Sequence, residues 1–455
     1  IDDVEQDSDA GTGGTQAYDL YSSSTTYKNE IFATTSLSAG SHTIKIMPAG
    51  DKNASSSGYK LNLDAFQTPL SMDSSNRFVI PTNGGYHLKP FTIGANQYVA
   101  AVNIAGDDVK IYKFDSTNNT FDNDTGDGQS DIDAYQTISS MTDPTKVEFF
   151  TIGSDSYIAI ANYYSSLVPS YNTNSKIYKW NTSTLQFDFT QNVAINGCYD
   201  VKKISIPGEG DFLAFASYYG DSPIQFNTTS KIYKWNTSTS TFDSYQSIST
   251  VGANNIDFTT IGSNYYLAIS FGRGNQSGTV WDATSKVYKW NTSTHQFDVL
   301  QSISTGGAAT QSTFFTIGTD NYLLFVNYAS GSGSSDYTID SKIYKWNSTN
   351  LNFDTASNVQ NIATDAGQSA AFFNVGSKYY LAIGQHNGTS SGHMDQKVFT
   401  WNGSDFTTLS SLNIPDAYRA GNIENMTING HHYLTVPNYS NNGDVTTDSY
   451  IQLAE

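Results

Sequence analysis

The sequence predicts an all-β chain, a seven-bladed β-propeller preceded by a partial β-sandwich. Three observations carry this expectation. A short phrase ending in a turn recurs seven times at steps of 53 to 59 residues, in the range of propeller and solenoid repeats. The recurrences are followed by the same succession of strand-like phrases, and helical periodicity is nowhere sustained for three turns. Composition agrees: apolar residues make up 38% of the 455 and charged residues 14%, yet 31 Tyr and 25 Phe, with abundant Ile, Val and Thr, supply the sheet propensity that excludes disorder as the main description.

The first phrase of each unit is FTIG (91–94), FTIG (150–153), ISIP (204–207), TTIG (259–262), FTIG (315–318), FNVG (373–376) and MTIN (426–429). In the fourth unit it leads into YYLAIS (265–270), a variable loop, SKVYKW (285–290), a turn at 291–294 and FDVLQSIS (297–304). These are runs of β-branched and aromatic residues bounded by Gly, Asn, Ser and Thr, so each unit reads as four antiparallel strands. Alternation within SKIYKW places Ile and Tyr on opposite faces, and the Trp is expected on the Ile side. A four-stranded unit cannot bury both faces alone, and seven units stacked radially can.

The ends of the chain predict how the ring closes. The last unit stops after its third strand, SYIQL (449–453), while RFVIPTNGG (77–85) matches the fourth-strand phrase FDSYQSISTVG (242–252). The segment 77–82 is therefore expected to complete the last blade of a propeller spanning 71–455, leaving no open edge.

Residues 1–70 lie outside the repeat and read as strands at 17–21, 29–35, 41–47 and 59–66. Their alternation of apolar and polar residues asks for burial of one face, and seventy residues are too few for two covering sheets. The other half is expected from an upstream segment, the propeller flank or another subunit donating strands, the last implying self-assembly through this module. A start at Ile1 with no leader suggests a processed or cut chain.

Net charge is −19, which argues against nucleic-acid and anionic-membrane partners. No apolar run approaches the ~18 residues of a membrane span. Cys198 is the single cysteine, so no internal disulfide can form.

The order FxIG, YLAIAN, SKIYKWN, FxxxQxIxT across 73–455 resembles the EAR or EPTP repeat, which implies a seven-bladed extracellular propeller. The third unit departs from it at 207–210 and the seventh at MTIN and YIQL. The stretch LSAGSHTIKI with GDKNASSSGYKLNLDAF resembles the C-terminal half of galactose-binding-like sandwich modules, found on carbohydrate-active and adhesive proteins. The repeat family implies a binding platform with no shared catalytic residues.

Candidate sites follow. The run 122–133 is the densest carboxylate cluster, with Asp122, Asp124, Asp127 and Asp131 as calcium ligands or as a solvated acidic loop; its spacing is not that of an EF-hand. Tyr163, Tyr164, Tyr218, Tyr219, Phe271, Tyr328 and Tyr439 follow second strands and begin loops that share one propeller face, suited to stacking on a sugar or a protein side chain, or to covering blade edges. Asn181, Asn236, Asn291, Asn347 and Asn402 are sequons in one recurring hairpin turn, where Asn also suits the turn itself, and are candidate glycosylation sites. The seven His carry no zinc signature and read as loop and turn residues, and no nucleophile elbow or Ser, His and acid trio appears. The expected function is extracellular or cell-surface binding or adhesion, towards a protein or glycan, without catalysis. The alternatives are a carbohydrate-binding accessory of a glycan-degrading system and a glycan-processing propeller enzyme.

Overall fold

The computed structural model describes residue 72 and residues 77–122, 132–164, 170–220, 225–331, 336–356, 359–386, 396–414, 420–439 and 448–454. All belong to the compact unit Leu70–Glu455. The sandwich expected over 1–70 lies outside the described residues.

The described residues form seven antiparallel sheets. Their first strands are Gly85–Ile93, Pro144–Ile152, Cys198–Ile206, Ala253–Ile261, Ala308–Ile317, Gly367–Val375 and Glu424–Ile428, in blades 1 to 7. Each first strand packs on the first strand of the next blade, and that of blade 7 packs on that of blade 1, so they form the inner ring of a closed propeller. In blades 1 to 6 the later strands follow outward in sequence order; in blade 5 the outermost is split into Asn352–Phe353 and Val359–Ile362.

The turn that ends each inner strand explains the repeated phrase. Gly94, Gly153, Gly262, Gly318 and Gly376 all sit near φ +60°, a conformation that only Gly adopts without penalty. The two divergent units solve the same problem differently: blade 3 uses Gly208 (φ 83°) and Gly210 (φ 115°), and blade 7 uses Asn429 (φ 52°).

Seven separate apolar clusters fill the seven blade interfaces. Between blades 1 and 2, for example, Val109 and Ile111 meet Ile158, Ile160, Tyr178 and Trp180. Ile177 instead joins Val201 and Leu213 at the interface of blades 2 and 3. The Trp of SKIYKW thus shares the face of the Tyr, not of the Ile. Strand period two requires this, and the bulge in the outer pairing falls between Ile177 and Tyr178, before the Tyr and Trp.

Arg77–Ile80 pairs antiparallel with Ser449–Leu453 and completes blade 7. Thr82 Oγ1 accepts from Ser449 N (3.1 Å), and the two hydroxyls lie 2.9 Å apart. Ile80 is fully buried with Leu88, Tyr112 and Ile451, so the seam between blades 7 and 1 has a core of the same kind as the others.

A polar clasp lies outside the cores. The Gln of FxxxQ in one blade bonds both backbone groups of the corresponding Phe in the next. Gln246 Nε2 donates to Phe297 O (2.8 Å) and its Oε1 accepts from Phe297 N (2.9 Å). Gln136, Gln191, Gln301 and Gln360 clasp Phe187, Phe242, Phe353 and Phe406 in the same way. Substituting Gln246→Ala leaves a backbone donor and acceptor without partners and is expected to cost about 2–3 kcal/mol by urea denaturation. Gln246→Glu keeps the acceptor and loses the donor, so it should fall between; equal stability of all three proteins would remove the clasp from the account.

Candidate functional site

The axis of the ring is polar, and two layers line it. Six residues before Ile93, Ile152, Ile206, Ile261, Ile317, Val375 and Ile428 stand His87, Lys146, Asp200, Asn255, Gln311, Ser369 and Asn422. Five of these accept an amide hydrogen from the next inner strand: His87 Nδ1 from Val147 (3.3 Å), Asp200 Oδ2 from Ile256 (2.9 Å), Asn255 Oδ1 from Ser312 (2.9 Å), Gln311 Oε1 from Ala370 (2.9 Å) and Ser369 Oγ from Ile423 (3.1 Å). Lys146 has no acceptor to offer, and the amide it would have met, Val201 N, donates to Asp200 Oδ1 instead (2.9 Å). Burial pushes the Asp200 carboxyl up to about 6, against the pull of Lys146.

Two residues further along, charges alternate as Lys89, Glu148, Lys202 and Asp257, with Glu424 behind Lys89. Lys89 Nζ bonds Glu424 (3.0 Å) and Glu148 (3.4 Å), and Lys202 Nζ bonds Asp257 (2.8 Å). His87 Nε2 donates to Glu424 Oε1 at 2.7 Å. Since His87 Nδ1 accepts the Val147 amide, this ring is the neutral tautomer; burial and then Lys146 lower its pKa to about 3, outweighing Glu424. His87 is fully buried, so the expectation that every His is a loop or turn residue fails here.

At the end where the inner strands begin, aromatic residues cover this channel. Tyr86 of blade 1 reaches blade 3, where it meets Tyr199 (6.1 Å between centroids), and blade 6, where its hydroxyl accepts from Gln368 Nε2 (3.1 Å). Around it runs a closed circuit. Tyr439 meets Tyr86 (6.2 Å), Tyr199 meets Tyr218 (5.1 Å), and Arg273 lies over Tyr218 (5.6 Å) and Trp281 (3.6 Å). Trp281 then meets Tyr328 (5.9 Å), which contacts His386 (6.1 Å), which returns to Tyr439 (6.1 Å). A second group extends from it: Tyr163 packs edge-on against Tyr199 (5.0 Å), and Tyr171 stacks on Tyr219 (4.6 Å) and meets Tyr164 (4.9 Å). Desolvation raises the phenols of Tyr86, Tyr163, Tyr199 and Tyr218, so all remain neutral donors at physiological pH.

Six of the seven aromatics expected on this face are therefore here, all half-buried. Phe271 is not. It is 4% exposed, in the core between blades 3 and 4, because it aligns with Asn162 rather than with Tyr163; that register gives Gly272 and Arg273 to the mouth. Tyr86 and Tyr199 were missed because they precede the inner strand's apolar run rather than follow the second strand. Their shared offset of seven residues before Ile93 and Ile206 is the signal that could have found them.

Of the four candidate calcium ligands only Asp122 is described; its Oδ1 accepts from Asp133 N (3.0 Å). Asp124, Asp127 and Asp131 lie outside the described residues. The recurring sequons stand at the end of the blades away from the tyrosines, and their side chains build the turn. Asn181, Asn236 and Asn291 donate through Nδ2 to Asp188, Asp243 and Asp298 (2.7, 2.8 and 2.7 Å). Asn347 and Asn402 accept amide hydrogens from the residues two positions on, Thr349 (3.0 Å) and Ser404 (2.9 Å).

The architecture and its mouth define a class, a closed seven-bladed β-propeller whose polar channel is capped by aromatic rings. The EPTP domain matches three stretches of this chain, residues 133–181, 241–291 and 296–347. It is 31% identical over 202 residues to the mouse thrombospondin-type laminin G domain and EAR repeat-containing protein, and 32% over 203 residues to the human one. Each match takes in 44% of this chain and 27% of the relative, so the chain spans about a quarter of the length of the curated relatives it matches. These names describe repeats and a laminin G domain, not an activity. No helix among the described residues is long and apolar enough to cross a membrane.

Proposed function

We propose that this protein is a non-catalytic recognition module acting outside the cell, and that it binds its partner at the tyrosine-lined mouth of the channel. The closed aromatic circuit from Tyr86 through Tyr439 carries this reading, since it joins rings from six of the seven blades at a half-exposed surface. Such rings offer large rigid contact area at low entropic cost and hydroxyls that both donate and accept. The extracellular setting is supported by the relatives' thrombospondin-type and laminin G names. Glycans on Asn181, Asn236, Asn291, Asn347 or Asn402 would project from the opposite end and leave the mouth clear.

The test is a panel of glycans and ectodomains probed with the wild type, a Tyr163→Ala, Tyr328→Ala double variant and an outer-rim control, Leu185→Ala, whose side chain is half exposed. Binding lost at least about ten-fold in the double variant and kept in the control supports the mouth as the site. Binding insensitive to the mouth and abolished at the rim would overturn it.

A further inference from the structure

Arg273 is the one side chain in the aromatic circuit that is a permanent cation, and its environment is unlike that of the channel lysines. Lys89 and Lys202 are each held by a carboxylate. Arg273 forms no ion pair among the described residues. Its Nη1 donates to Gly272 O (2.7 Å), while its Nε is buried with no partner. The guanidinium carbon lies 3.6 Å from the centroid of the Trp281 ring, with Phe226 at 4.9 Å, a stacking distance that leaves the Nη end as the polar group on offer, since Nε is buried. A guanidinium so placed pairs best with a planar, bidentate acceptor.

We infer that the mouth binds a carboxylated saccharide, with its carboxylate on the Arg273 guanidinium and its sugar ring against the neighbouring aromatics. This rests on the reading of the mouth as the binding site. A single cation calls for a single carboxylate, whereas a polyacidic peptide would meet a chain of net charge −19 with one arginine to receive it. The phenol of Tyr218 lies beside Arg273 and that of Tyr199 beside Tyr218, both neutral and able to donate and accept, which matches a ring bearing hydroxyls. Over the Debye length of about 8 Å at physiological salt the distant negative charges are screened, while the contact with Arg273 is not.

The experiment uses the full chain on immobilised uronate- and sialate-terminated oligosaccharides, their carboxyl-reduced counterparts, and acidic peptides. The wild type should prefer the acids over the reduced forms by roughly ten- to a hundred-fold, as a charge-assisted hydrogen bond provides. Arg273→Gln, checked for an unchanged melting temperature, should abolish the preference. Arg273→Lys keeps the charge without the fork and should retain a weaker, more salt-sensitive preference. Equal binding of acidic and reduced sugars, a preference surviving in Arg273→Gln, or acidic peptides outcompeting every saccharide would overturn this inference. In each of those cases, loss of the remaining binding in the Tyr163→Ala, Tyr328→Ala variant would leave the mouth standing as the site; insensitivity to both sets of variants removes both.

Discussion

A chain beginning at Asn83 should melt roughly 10 °C or more below one beginning at Ser71, or fail to fold, because it lacks the strand that closes the ring. Phe78 and Ile80 leave the core of the last seam, where truncations of such side chains cost about 2–5 kcal/mol each. Ser449–Leu453 loses its ladder to Arg77–Ile80, and Thr82 no longer meets Ser449. Phe78 also packs against Phe114, Phe121 and Tyr433 (5.8, 5.5 and 5.6 Å), so the loss reaches blades 1 and 7 together. Calorimetry on the two truncations decides the matter, and a peptide of residues 71–82 added in trans should recover part of the difference. Identical melting of the two would mean that the ring closes without this strand.

Replacing His87 with Gln should make stability less dependent on acid. Above pH 6.5 the imidazole is neutral in the folded and unfolded chains alike and contributes no pH dependence. Below it the unfolded chain takes up a proton that the folded chain refuses until about pH 3, so wild-type stability falls as pH falls through that window. The slope is about 1.4 kcal/mol per unit, hence about 2 kcal/mol between pH 6.5 and 5. The carboxamide that takes the place of the imidazole can still accept from Val147 and donate to Glu424, and it does not titrate. Urea midpoints across this range should show wild type and His87→Gln converging, or crossing, as pH falls; a constant gap would mean that His87 is already charged in the fold, paired with Glu424.

The fold was legible because propeller geometry repeats its demands. Every blade needs a tight turn after its inner strand, and Gly94, Gly153, Gly262, Gly318 and Gly376 answer at the same register. Closure was legible for the same reason, since RFVI (77–80) carries a fourth-strand pattern where no unit precedes it. The site was legible only in part. Tyr163, Tyr218, Tyr328 and Tyr439 stand at a recurring position after the second strand, but Arg273 and Trp281 sit in one loop of one blade and repeat nowhere. The axial clasps were hidden for another reason: His87, Asp200, Asn255, Gln311 and Ser369 do one job with five chemistries. Accepting one amide hydrogen is a requirement that a pattern of residue names does not display.

The Gln clasp stops short of the closing blade. Ser410 and Thr82 occupy the fourth residue after Phe406 and Phe78, where units 2 to 4 carry Gln191, Gln246 and Gln301. Blade 7 instead meets blade 1 through Glu424 with His87 and Lys89, and holds the segment that leads into blade 1 through strand pairing and through Thr82 with Ser449, a pair separated by 367 residues of chain. On a ribosome adding about 5–20 residues per second, that separation corresponds to roughly 20–70 s between the emergence of Thr82 and that of Ser449. Throughout that interval Arg77–Ile80 has no partner strand, and its Phe78 and Ile80 lack the surfaces of blade 7 that cover them in the finished ring. The order of synthesis thus makes the closing strand the first part of the propeller to appear and the last to be satisfied.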